Sequence, residues 1–231
     1  DAPVLASVSN VSFDEDGSGS TSLSASDVDG DNLTYSITGG SDITASLNGS
    51  EVSFNAPANF NGSEEFSVSV SDGELLDSQS ITVTVNAVND APVANAASAT
   101  TNEDESVVVT LSGNDVDGDA LTYSLDTDAE NGSVVVSGTV STYTPNQDFN
   151  GNDSFTFSVS DGELSATAEV TVTIESVNDA PVLASVSDVS FDEDESGSTS
   201  LSASDVDGDS LEFSISGGDQ ITASLLGSDV T

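Results

Sequence analysis

Apolar and polar residues alternate along most of this chain with a period of two. Phe66-Ser67-Val68-Ser69-Val70, Ile81-Thr82-Val83-Thr84-Val85, Phe155-Thr156-Phe157-Ser158-Val159 and Val170-Thr171-Val172-Thr173-Ile174 each set apolar side chains against Ser or Thr. That is the pattern of a strand with one buried face and one wet face. Turn signals such as Gly39-Gly40, Asn48-Gly49, Asn61-Gly62, Asp72-Gly73, Asn131-Gly132 and Asp161-Gly162 separate the runs, and no helical stripe occurs between them. The pattern predicts an all-β chain of short strands.

The runs recur. Asp-Ala-Pro-Val stands at positions 1, 90 and 179, two equal steps of 89 residues. Phe60-Asn61-Gly62 returns as Phe149-Asn150-Gly151, and Ser71-Asp72-Gly73-Glu74 as Ser160-Asp161-Gly162-Glu163, on the same step. A unit of about 89 residues holding about seven strands has the size of an immunoglobulin-like sandwich. Repeat 1 is expected over 1–88 and repeat 2 over 89–177, joined end to end, with a truncated repeat 3 over 178–231. Repeat 3 stops short of the counterparts of Phe66–Val70 and Ile81–Val85. Alone it should be poorly ordered, or be completed by strands from an identical chain in a filament. Leu23–Asp31 and Leu201–Asp209 are letter for letter the same, so a two-domain block has been duplicated and the parent protein is expected to be a long array.

Composition narrows the function. The 231 residues contain no Lys, Arg or His and carry a formal charge of −42. Nucleic acid and anionic membrane surfaces both need a basic face, so neither is an expected partner. High charge with 5% aromatics also fits disorder, but 35% hydrophobic residues in alternating runs imply a buried face. Cysteine is absent, so metal rather than disulfide must supply any staple. No apolar stretch reaches the length of a membrane span or a signal core. The chain starts at Asp1 without an initiator methionine and reads as a piece of something longer.

Acids gather in three elements per unit. The first is Asp14-Glu15-Asp16, Glu103-Asp104-Glu105 or Asp192-Glu193-Asp194. The second is an Asp-Val-Asp-Gly-Asp loop, at Asp27, Asp29 and Asp31, then Asp115, Asp117 and Asp119, then Asp205, Asp207 and Asp209. The third is Asp72-Gly73-Glu74 or Asp161-Gly162-Glu163, and each unit boundary adds Asn89-Asp90 or Asn178-Asp179. Three carboxylates at alternate positions around a glycine converge from one tight turn, with no protein cation to pair with. Hard oxygen donors in that arrangement suit Ca²⁺ far better than Zn²⁺ or Cu²⁺. An EF-hand does not fit, because glycine is fourth rather than sixth in the loop and the twelfth positions are Thr38, Asp126 and Ser216.

Together these motifs resemble the cadherin superfamily, most closely the bacterial cadherin-like tandem repeats of large RTX-type surface adhesins. Glu-Asp near the start, Asp-Val-Asp-Gly-Asp followed by Leu-Thr-Tyr-Ser, Phe-Asn-Gly, Ser-Asp-Gly and Val-Asn-Asp-Ala-Pro-Val carry the resemblance along the whole chain. It implies tandem cadherin-like β-sandwich domains with Ca²⁺ at the junctions. Carried over, junction one would use Glu15, Asp72, Glu74, Asn89, Asp90, Asp115 and Asp117. Junction two would use Glu103, Asp161, Glu163, Asn178, Asp179, Asp205 and Asp207. The loop of Asp27, Asp29 and Asp31 would be left incomplete, having no preceding repeat. Asp-Gly-Glu departs from animal cadherins, which carry a basic residue between the two acids. The nonapeptide RTX calcium repeat is missing from this stretch.

Without His, Cys, Lys or Arg, catalysis would be confined to paired carboxylates, and neither Asp-Thr-Gly nor Asp-Ser-Gly occurs. Acids recurring at the same positions in every unit fit a repeated structural need better than several identical active sites, so no enzyme is expected. The expected function is a Ca²⁺-dependent rigid extender or stalk of an extracellular bacterial adhesin or surface filament. The alternative is a recognition module that binds a glycan or a copy of itself through a sandwich face. Asn10-Val11-Ser12, Asn48-Gly49-Ser50 and Asn61-Gly62-Ser63 match the glycan-acceptor pattern, a chance match in so Ser- and Asn-rich a chain.

Overall fold

The computed structural model describes residues 1–218 and 221–230, and no helix occurs among them. Repeat 1 contributes β1 (Val4–Leu5), β2 (Val11–Asp14), β3 (Ser18–Ser22), β4 (Ala25–Ser26), β5 (Thr34–Gly39), β6 (Thr44–Asn48), β7 (Glu51–Asn55), β8 (Gly62–Ser71) and β9 (Leu76–Asn86). They form a four-stranded sheet β2-β9-β8-β5, a three-stranded sheet β3-β7-β6 and a two-stranded ribbon β1-β4. Seven strands thus make the sandwich, in line with the spacing of the alternating runs. All pairings are antiparallel except that of β2 with β9, where Val11 faces Val83 and Phe13 faces Val85 in parallel register.

Repeat 2 builds the same layers. Its strands are β10 (Val93–Asn95), β11 (Ala97–Asn102), β12 (Val107–Thr110), β13 (Ser112–Asn114), β14 (Thr122–Thr127), β15 (Gly132–Ser137), β16 (Val140–Pro145), β17 (Gly151–Ser160) and β18 (Ser165–Glu175). The sheets are β11-β18-β17-β14 and β12-β16-β15, with β10-β13 as the ribbon, and β11 again runs parallel to β18. The alternating residues of the sequence supply the cores. Phe54, Phe66, Val68, Val70, Ile81 and Val83 are fully buried in repeat 1, as are Tyr143, Phe155, Phe157, Val159, Val170 and Val172 in repeat 2. Phe54 and Phe66 meet edge to face, ring centres 5.2 Å apart, an arrangement favoured by the ring quadrupoles.

One carboxylate per repeat fastens the loop that crosses between the two sheets. In repeat 1 Glu64 accepts the backbone N–H groups of Ser41, Asp42 and Ile43 at 2.8–3.0 Å. In repeat 2 the matching Asp153 accepts those of Glu130 and Asn131 at 3.2 and 2.9 Å and the Tyr143 hydroxyl at 2.9 Å. Burial, reinforced by Asp153, holds the Tyr143 phenol well above its usual range. The backbone donors, that of Asp42 first, hold Glu64 below the usual carboxylate range. Its stabilising effect is therefore complete above the unfolded-state value and is lost as pH falls through the lower folded value. Glu64→Gln is expected to cost repeat 1 about 1 kcal/mol at neutral pH and to have no effect at strongly acid pH. Denaturant titrations of both proteins at pH 7 and at successively lower pH, down to pH 2, check this.

The described part of repeat 3 forms β19 (Val182–Leu183), β20 (Thr199–Ser200), β21 (Ala203–Ser204), β22 (Leu225–Leu226) and β23 (Asp229–Val230). Only the ribbon β19-β21 and the small sheet β20-β23-β22 appear. Phe191, the counterpart of Phe13, is 45% exposed where Phe13 is 8% exposed, because the sequence ends before counterparts of β8 and β9. Residues 219, 220 and 231 of the expected repeat 3 lie outside the described residues.

The chain divides into two compact units. The first is Asp1–Pro92 with Asn114–Ala120 and Asp161–Leu164; the second is Val93–Gly113 with Leu121–Ser160 and Ser165–Thr231. Two acidic loops of repeat 2 thus belong to the first unit.

Candidate metal centre

The Asp-Val-Asp-Gly-Asp loops are pinned by their own first residue. Asp27 Oδ1 accepts the N–H groups of Asp29, Gly30 and Asp31 at 2.8, 2.9 and 3.3 Å. Asp115 Oδ1 accepts those of Asp117 and Asp119, and Asp205 Oδ1 that of Asp209. The glycine of each loop has φ near +80° with open space where a Cβ would stand, so backbone conformation requires it there. Asp27 Oδ2 and Asp115 Oδ2 are buried without a hydrogen-bond partner.

In the first unit, Asp115 and Asp117 stand beside the linker that follows β9. Asp90 N–H donates to Asp117 Oδ2 at 2.8 Å, and Asn89 Nδ2 donates to Asp161 Oδ2 at 3.0 Å. Glu15 leaves the end of β2, is only 7% exposed, and holds the linker by accepting the Val88 N–H through Oε1. Its other oxygen, Oε2, and Asp90 Oδ2 are buried with no donor. Burial and the neighbouring carboxylates of Asp117, Asp16, Glu15 and Asp115 push the Asp90 carboxyl up. Asp161 goes the other way, lowered first by the Asn89 amide and then by the N–H groups of Leu164 and Glu163.

The second unit repeats the arrangement. Val177 N–H donates to Glu103 Oε1, Asp179 N–H to Asp207 Oδ2 at 2.7 Å, and Asn178 Nδ2 to the Asp179 carbonyl at 3.0 Å. Glu103 is 4% exposed and also accepts Asn150 Nδ2. Burial and the acids Asp148, Asp207, Asp104 and Glu103 push Asp179 up, and its Oδ2 is buried without a partner. Among the described residues, four groups bring carboxylate oxygens within 4.8 Å of one another: Asp27, Asp29 and Asp31; Asp115, Asp117 and Asp119; Glu103, Asp179 and Asp207; and Asp104, Asp148 and Asp179. A calcium ion bound at about 2.3–2.6 Å spans oxygens up to about 5 Å apart. Buried oxygens lacking any donor are costly unless a cation faces them, so these residues fit a calcium ion.

The bacterial Ig domain profile matches residues 1–86 and 89–173. The chain belongs to the bacterial Ig domain family. Its fold is similar to human protocadherin-24 EC1-2, with a TM-score of 0.52 and 19% identity over 75% of this chain and 97% of that one. Protocadherin gammaB7 EC3-6 follows at TM-score 0.44, 18% identity, 78% of this chain and 52% of that one. The endo-fucoidan hydrolase MfFcnA4 from glycoside hydrolase family 107 is 24% identical over 76% of this chain, at TM-score 0.34, and this chain spans only 29% of that protein. No curated protein sequence matches. No helix among the described residues is long and apolar enough to cross a membrane.

In these Ig domains the acidic turn before β9 or β18 is not where the carried-over ligand sets put it. Pairing of Thr34 with Ser71 brings Asp72 to the end of the sandwich that holds Asp27 and Asp29. Pairing of Asp14 with Asn86 sends Glu15 to the other end of β9, roughly 35 Å away at about 3.3 Å per residue over that strand. Asp72 and Glu74 therefore do not join Glu15, Asn89 and Asp90. Asp161 instead accepts from Asn89, at the linker before its own repeat and not at the one after it. Glu74 and Glu163 have exposed side chains and enter none of the four carboxylate groups.

The sequence reading missed Asp148 and gave Asp104 no role as a ligand. Asp148 N–H donates to Asp104 Oδ1 at 3.1 Å, just as Asn59 N–H donates to Asp16 Oδ1 at 3.2 Å in the first Ig domain. All four hold positive φ, between 56° and 60°, a costly conformation that marks a constrained site. The usable signal was the residue before each Phe-Asn-Gly, which the repeat step pairs as Asn59 and Asp148.

Proposed function

We propose that this chain is a calcium-stiffened extender segment of an extracellular bacterial surface adhesin of the RTX type. Calcium is held at each linker between consecutive repeats by the early glutamate, the linker aspartate and the Asp-Val-Asp-Gly-Asp loop that follows. The observation that carries the reading is the pair Glu15 Oε2 and Asp90 Oδ2, buried among carboxylates with no donor to satisfy them. A chain without one Lys, Arg or His cannot supply the missing charge; a divalent cation from the medium can. Extracellular calcium modules bind at about 10⁻⁴–10⁻³ M, so the linkers stiffen outside a cell and stay loose inside it. Tandem Ig domains without His, Cys, Lys or Arg, whose acids recur at the same places in each repeat, fit a spacer role rather than an enzyme.

Small-angle scattering of the chain with millimolar calcium and with chelator tests this. A longer, less flexible particle in calcium is expected. Identical scattering profiles in both conditions would overturn the proposal.

A further inference from the structure

The outward face of the β12-β16-β15 sheet differs from the rest of the chain in charge. Asn131–Gln147, which supplies β15, β16 and their turn, is the longest stretch of sequence without Asp or Glu, and β12 lies in a second such stretch, Ser106–Asn114. Alternation points Val109, Val134 and Tyr143 inward, where they are buried. The outward positions are then all Ser, Thr or Val. Val108 and Val135 both pair with Thr142, which forms a Val-Thr-Val row across the three strands. They are 62% and 68% exposed.

The fold does not require those valines. The same row in repeat 1 is Ser20-Ser53-Ser46, and the outward position of exposed Val140 is held there by Glu51. Repeat 2 has thus lost a charge and gained exposed apolar surface on a sheet that serine serves equally well in repeat 1.

We propose that this face docks a second copy of the chain, sheet against sheet, with the Val108-Thr142-Val135 row of one copy against the same row of the other. Charge selects that occupant. Two chains of −42 repel wherever acids face acids, and only a like face pressed on this one avoids that. A cationic partner would be drawn to the acidic loops instead. A sugar platform would present aromatic rings, and the aromatic residue of this sheet, Tyr143, faces the core. Hydroxyls both donate and accept, so a Ser, Thr and Val face is complementary to itself about a two-fold axis. The contact covers one three-stranded sheet and is accordingly weak.

Sedimentation velocity of the whole chain in millimolar calcium, from about 10 μM to about 1 mM, is the test. Wild type should shift from monomer toward dimer across the range. Val108→Ser with Val135→Ser, which restores the residues of repeat 1, should weaken dimerisation at least tenfold, or about 1.4 kcal/mol. Val135→Glu should abolish it, while Ser46→Glu at the matching place in repeat 1 should leave it unchanged. Melting curves confirm that each variant folds. A wild type monomeric throughout overturns the proposal, as does equal weakening by Ser46→Glu. Dimerisation that survives the serine pair would place the contact elsewhere, on Phe191 and Leu226 of repeat 3 for instance, and so would overturn it. Glycan-array binding that V135E removes from a monomeric wild type would assign the face to sugar, and that too would overturn it.

Discussion

Phe157→Ala is expected to cost the second Ig domain about 4 kcal/mol, within the range of buried aromatic truncations. The ring is fully buried between the two sheets and stacks on Tyr123 at 6.4 Å. Domains of this size have about 5–15 kcal/mol in all, so the loss is a large part of the total. No salt bridge between side chains exists to offset it, for the chain has no cationic side chain. Guanidinium unfolding followed by tyrosine fluorescence will report it, since two of the three tyrosines, Tyr123 and Tyr143, pack against this core. The transition of the second domain should move to lower denaturant and that of the first should stay in place.

Asp115→Ala combined with Asp117→Ala should weaken calcium binding at the first linker at least tenfold, given that ligand number and charge set affinity at such sites. The cluster of Glu103, Asp179 and Asp207 keeps all its oxygens in that variant. Calorimetric titration should therefore lose one class of sites and keep the other with unaltered affinity. Equal loss of both classes, or of neither, would contradict the assignment of the two clusters to separate linkers.

The fold was legible in the sequence because burial on one sheet face writes a period of two directly into the chain. Phe66-Ser67-Val68-Ser69-Val70 could only be a half-buried strand, and so it is in β8. What alternation does not encode is which strand lies beside which. The parallel pairing of β2 with β9 joins segments some 70 residues apart, and nothing local to either announces it. The site followed the same division. Each Asp-Val-Asp-Gly-Asp loop was recognisable by itself, since its hydrogen bonds lie within five residues. Whether Asp72 or Asp161 completes a linker depends on which end of the sandwich the β8–β9 and β17–β18 turns occupy, and strand register alone decides that. Asp148 escaped notice because it stands alone in sequence; its neighbours Asp104 and Asp179 arrive from elsewhere in the fold.

The parallel partnership of β2 and β9 has a mechanical meaning. The chain enters the first Ig domain close to β2 and leaves it from the end of β9, and the two strands run side by side in the same direction from Val11 to Asp14 and from Val83 to Asn86. Tension applied to both ends of that domain drags the strands past each other lengthwise. Every rung of the ladder then resists at once, whereas strands peeled apart from one end would yield a rung at a time. Because β11 and β18 repeat the arrangement from Ala97 to Asn102 and from Val170 to Glu175, each domain closes on itself with a clasp that is loaded in shear.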